Sequence, residues 1–85
     1  MTDKIPYNLM LGKMIVTKEG KRLGFVKDIT FETKSGELIS IIIKEATLYT
    51  KNLNLEKSSE GEYLIPYAAI IAIGDFVIVS EEDLI

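Results

Sequence analysis

The chain has 85 residues, of which 47% are apolar and 27% charged, and its net charge is −3. That is the size of one small domain, and the balance excludes a disordered, collagenous or low-complexity chain. With no cysteine and no histidine, the chain has no disulfide, no Cys or His metal site and no imidazole for acid–base work.

Thirteen isoleucines against four alanines lean the composition towards β structure. Residues 1–8 read as a lead-in, and Leu9-Met10-Leu11 as a short apolar run that Gly12 ends. The first strand is expected over 13–18. Lys18-Glu19-Gly20-Lys21 is a turn in which Gly20 supplies a positive φ. The second strand spans 22–32, and its alternation breaks. Leu23 and Phe25 alternate, Lys27 falls where an apolar residue is due, and Ile29 and Phe31 resume. The spacing predicts a β-bulge at Val26-Lys27-Asp28, which bends a long strand as barrel closure requires. The alternative is a regular strand from which Lys27 snorkels. Asp is disfavoured in strands, so Asp28 is assigned to accepting backbone N–H bonds at the bulge.

Thr33-Lys34-Ser35-Gly36 is the next turn, and 37–45 the third strand, apolar on both faces and therefore covered on both. Ile39, Ile41 and Ile43 form the wholly apolar face and are placed inward. Leu38, Ser40 and Ile42 then face out, and the opposite phase stays open. Residues 46–61 are a long connection, with one or two helical turns over 47–53 capped by Thr47. Leu48, Leu53 and Leu55 are expected to plug an open end of the barrel. A fourth strand covers 62–65 and stops at Pro66, after which 66–70 suits a 3₁₀ turn. Strands over 71–73 and 76–79 are joined by Gly74-Asp75, read as a two-residue type II′ turn. Residues 80–85 form an acidic, frayed tail. The fold class is all-β: one small antiparallel barrel of about six strands, with a short helical insert, over residues 1–85.

The order of these motifs resembles the PRC-barrel domain family. The opening carries Gly12-Lys13-Met14-Ile15-Val16, Glu19-Gly20 and Gly24-Phe25-Val26-Lys27-Asp28-Ile29. Ser35-Gly36-Glu37-Leu38-Ile39 enters the β-branched strand. The closing block is Tyr63-Leu64-Ile65-Pro66-Tyr67, then Ala72-Ile73-Gly74-Asp75-Phe76-Val77-Ile78-Val79. The size and the helical insert look like the stand-alone archaeal type. The resemblance implies a barrel without enzymatic chemistry. It includes archaeal cell-division proteins that dimerise and engage SepF, which holds the FtsZ ring. It also includes the barrel of the ribosome maturation factor RimM.

No residues combine as a catalytic set. Ser35, Ser58 and Ser59 lie in turns beside no base. Glu81-Glu82-Asp83 lacks the loop spacing of a Ca²⁺ site, and Gly12, Gly20 and Gly24 precede no helix. No enzyme activity, metal or cofactor is expected. Gly20, Gly24, Asp28, Gly36, Pro66, Gly74 and Asp75 are assigned structural roles. Lys18, Lys21, Arg22 and Lys27 form the one basic cluster, a solvated hairpin tip or a patch for an anionic partner. The seven basic and four acidic groups of 1–34 give +3, and the three basic and nine acidic groups of 35–85 give −6, so nucleic acid is a disfavoured partner.

Leu38–Ile43 and Phe76–Val79 are apolar on both faces, more than one barrel interior takes. The remainder is assigned to an outer interface of Leu38, Ile42, Val77 and Val79, with a second copy or a paralogous PRC-barrel protein as partner, and SepF beyond it. Cover by the insert at 46–55 instead would leave a monomer. The expectation is a protein-binding cell-division adaptor, with an RNA-processing or ribosome-assembly factor as the alternative. No stretch has the ~20 apolar residues of a membrane span, nor 1–6 the core of a secretory signal. Cytoplasmic residence is therefore expected, with recruitment to the division site through a partner.

Overall fold

β-branched and aromatic residues favour a pleated, half-buried surface, and the runs rich in them form the strands. The computed structural model describes residues 7–31, 34–35 and 38–84; Gly36 and the side chain of Leu38 lie outside the described residues. A one-turn helix α1 (Tyr7–Met10) precedes β1 (Met14–Thr17), β2 (Arg22–Phe31) and β3 (Leu38–Lys44). Helix α2 (Leu48–Asn52) follows, then β4 (Leu64–Pro66), a 3₁₀ turn (Tyr67–Ala69), β5 (Ile70–Ile73), β6 (Phe76–Val79) and a second 3₁₀ turn (Glu81–Asp83). The six strands form one sheet in the order β4-β3-β2-β1-β6-β5.

The sheet is barrel-like but is not a closed cylinder, since β4 and β5 remain its edges. Nor is it wholly antiparallel: β1 pairs with β6 in parallel. The pairings make β4 and β5 run the same way, so the 3₁₀ turn between them turns a corner rather than closing a hairpin. Pro66 is tolerated inside β4, opposite Ser40, because β4 is an edge strand.

Strand β2 makes the curl. It carries the expected bulge, with Lys27 left out between the pairs Val26↔Ile43 and Asp28↔Ile42. Asp28 Oδ1 accepts the Ile29 N–H at 2.8 Å. A second bulge, not foreseen, leaves Leu23 out between Arg22↔Val16 and Gly24↔Ile15. The insert serves the carbonyl freed there. Leu23 O accepts from Thr50 Oγ1 at 2.6 Å and Thr47 N at 3.1 Å. Thr47 also caps α2, as expected, accepting the Thr50 N–H. Gly24 has φ +146° and lies against the corner where β3 ends.

The core joins Met10, Ile15, Leu23, Val26, Ile29, Ile41, Ile43, Leu55, Ile65, Ala69, Val77, Val79 and Leu84. Several expected placements change. The bulges shift the phase of β2, so Val26 enters the core and Phe25 is half-buried, while Phe31, at the end of the strand beyond the irregularity at Ile39, is exposed. In β3, Ile41 and Ile43 point inward, but Ile39 is left out between Phe31↔Leu38 and Thr30↔Ser40 and is exposed. Of the expected plug, Leu55 is buried and Leu53 packs partly against the core, while Leu48 is exposed. Gly74 does not take a positive φ, and the turn is not two residues long. Phe76 belongs instead to the β1 ladder, so the first β5–β6 pair is Ile73↔Val77. The tail is not frayed through Leu84. It forms a 3₁₀ turn, and Leu84 is buried.

The Gly24 approach makes a sharp expectation. A Cβ there would stand 2.6 Å from Ile43 Cγ2 and 2.8 Å from the Lys44 carbonyl oxygen. Gly24→Ala should cost more than about 2 kcal/mol by urea denaturation, combining strain with a backbone clash. Gly61→Ala, at φ +84° with open space around it, should cost about 1 kcal/mol.

Candidate binding surfaces

Side chains alternate along a strand, so burying one set on β1 and β6 fixes where the other set points. Ile15 and Thr17 of β1, and Val77 and Val79 of β6, are buried. Met14, Val16, Phe76 and Ile78 therefore stand on the outside of the sheet. Register aligns them with neighbours. One row runs Phe25–Met14–Phe76 and the next Val16–Ile78–Ala72. Phe76 is 48% exposed, and the bulged Ile71 beside these rows is 52% exposed. Arg22 and Lys44 flank the rows on the β2–β3 side.

This corrects the expected interface. Val77 and Val79 are core residues with no exposed surface and cannot meet a partner. Their phase is set by the parallel ladder, which seats Val77 beside buried Ile15. Ile42 is half-buried and lies on the outer face, between Asp28 and Leu64 in register. The run at 76–79 is apolar at every position, so alternation alone carried no signal for Phe76 and Ile78.

The basic cluster divides. Lys27 leaves the bulge to pair with Glu62 on the β3–β4 side. That partner, by hydrogen bond and charge, raises the Lys27 pKa above its ordinary value. Lys18 and Lys21 stay on the β1–β2 hairpin, where Gly20 at φ +89° makes the turn. The buried Thr17 Oγ1 accepts the N–H groups of Glu19 and Lys21, fixing the hairpin's shape. Lys18 Nζ stands 3.4 Å from Glu82 Oε1, and Lys21 Nζ stands 5.7 Å from the Tyr49 ring centroid. Arg22 is exposed at the start of β2, its carbonyl accepting from Thr47 Oγ1.

The Tyr49 hydroxyl donates a hydrogen bond to Glu81 Oε1. Residues 32 apart meet here, a pairing with no local sequence signature. Asp75 is exposed in the β5–β6 turn, and Lys13 Nζ donates to the Gly74 carbonyl. Among the described residues no three acidic side chains gather as a metal-ligand set. No described helix is long and apolar enough to cross a membrane.

The Glu81 hydrogen bond, followed by burial, raises the Tyr49 pKa. A raised phenol pKa means that the contact contributes stability while the ring is protonated, and that this is lost as pH rises from about 10 through the raised value. The ultraviolet titration of Tyr49, isolated by difference from Tyr49→Phe, should have a midpoint above that of an ordinary phenol. Glu81→Gln should bring it down.

The sequence matches the PRC-barrel domain family over residues 2–84. It is also 32% identical, over 82 residues, to an uncharacterized protein of Methanocaldococcus jannaschii, covering 96% of this chain and 88% of the relative. With a curled six-strand sheet built around a bulged β2, the chain belongs to the PRC-barrel domain family.

Proposed function

We propose that this protein is a non-enzymatic adaptor that works by docking protein on the outer face of its sheet. The observation that carries the reading is the pair of apolar rows Phe25–Met14–Phe76 and Val16–Ile78–Ala72, which the fold leaves outside its own core. Neither the insert nor the tail is spent on them: α2 is tied to β2 at Leu23, and the tail is anchored by Leu84. The first occupant is a second copy or a paralogous PRC-barrel protein. A stable interface takes about 800 Å² per partner, roughly one seventh of the chain's 5471 Å² surface.

The specific role proposed is an archaeal cell-division adaptor acting with SepF and FtsZ from the cytoplasm. Its support is membership of the family together with the archaeal relative. The RNA-factor reading ranks below it, because Lys18 and Lys27 each face a glutamate of the same chain.

Light scattering at low-micromolar concentration should give about twice the 9.5 kDa chain mass. Phe76→Glu should return the mass to one chain and leave the β signal in circular dichroism intact. Val77→Glu should unfold the chain, since it puts a charge into the core. One chain mass for the wild type at every concentration sinks the dimer. Purified SepF that fails to bind in calorimetry, with the dimer intact, sinks the division role alone.

A further inference from the structure

The β1–β2 hairpin and the C-terminal turn enclose an open cleft of about 320 Å³. Lys18, Glu19 and Lys21 line one side; Tyr49, Glu81 and Glu82 line the other. The cationic side already holds carboxylates: Lys18 faces Glu82, and beside Lys21 the Tyr49 hydroxyl donates to Glu81. Those carboxylates belong to the segment Glu81-Glu82-Asp83. We propose that this cleft is a docking site for an acidic peptide segment of a partner protein, and that the chain's own tail occupies it as an internal competitor. The site is separate from the outer face of the sheet, and either can stand without the other.

The tail is held by contacts other than its carboxylates. Lys18 N–H donates to the Val79 carbonyl at 3.1 Å and Ser80 N–H to the Ala69 carbonyl at 2.8 Å, and Leu84 is buried. Glu81 and Glu82 can therefore swing aside while the tail stays folded. They would give up two contacts: the Tyr49 hydrogen bond to Glu81, which an incoming carboxylate re-forms, and a weak ion pair. The side chains of Lys18 and Glu82 are 48% and 81% exposed, a solvent-screened contact that an incoming carboxylate can replace. Two ammonium groups and a directional phenol donor suit carboxylates spaced along a peptide. The volume lies at the lower end of sites that hold ligands. With Glu81 and Glu82 displaced, Glu19 remains on the cationic side, and its like charge opposes a phosphate at every step more than carboxylates spaced to meet Lys18, Lys21 and the Tyr49 hydroxyl.

The test uses a fluorescein-labelled peptide of the tail's own sequence, Ser-Glu-Glu-Asp-Leu, titrated against the full chain at low salt by anisotropy. The E81Q/E82Q variant should bind it about tenfold more tightly than the wild type, because a competitor at millimolar effective concentration has been removed. Adding K18Q, K21Q and Y49F should abolish that gain. Equal affinity in wild type and E81Q/E82Q, no detectable binding to E81Q/E82Q, or a gain that survives the added changes each overturns the proposal. So does a uridine decamer that binds E81Q/E82Q as well as the peptide does, which would make the hairpin a general polyanion patch. If circular dichroism shows that E81Q/E82Q does not fold, E82Q alone replaces it. It removes only the exposed pair, with an expected gain of about threefold.

Discussion

A long strand that passes from one neighbour to the next while its sheet curls must shed residues from the ladder, and the ten-residue β2, paired with β1 over Arg22–Phe25 and with β3 over Phe25–Phe31, does so twice. Leu23 and Lys27 leave the pairing, and the strand bends at each. Between them Gly24 lets the end of β3 approach the backbone more closely than any side chain allows. Without those bends Leu23, Val26 and Ile29 could not all reach one core, because regular alternation would send Val26 and Ile29 to opposite faces. The polar consequences are absorbed locally. Thr47 and Thr50 bond the Leu23 carbonyl, and Asp28 accepts the Ile29 N–H. The insert thus completes a bulge through Thr47 and Thr50, and of its expected plug it contributes Leu55 and, in part, Leu53 to the core.

The same curl brings β6 beside β1, so strands near the two ends of the chain form the parallel seam of the sheet. That seam fixes a phase that the β6 sequence leaves undetermined. Val77 and Val79 lie beside Ile15 and Thr17 inside, and Phe76 and Ile78 fall outside beside Met14 and Val16. An aromatic ring of Phe76's size would overpack a narrow interior that valines fill. The apolar content that looked excessive for one barrel is therefore real, but it belongs to a different set of residues.

Charge follows the fold more than the chain. The basic segment of the sequence does not become a basic surface. Lys27 is matched by Glu62 across the sheet, and Lys18 by Glu82 from the tail. Exposed pairs of this kind contribute little stability. Their larger effect is on recognition, since they leave the hairpin a mixed-sign cleft and the sheet's outer face an apolar field flanked by Arg22 and Lys44.

Local chemistry was legible in the sequence. Glycine at a turn tip, threonine before a helical turn and a lysine out of phase each carry a steric or hydrogen-bonding reason within a few residues. Gly20, Thr47 and the Lys27 bulge accordingly stand where those reasons put them. The ordered motifs also carried the family. What they did not carry was phase in strands apolar at every position, as in 76–79, or after a bulge with no residue out of place, as at Leu23 and Ile39. Nor did they carry the meeting of Tyr49 with Glu81. Both depend on which strand lies next to which, and a pairing between distant segments is decided by the packing of the whole core. The sequence by itself determined a small β domain with its turns, cap and one bend. Only the tertiary structure decided which apolar side chains are left for a partner, because burial is a property of neighbours and not of residues.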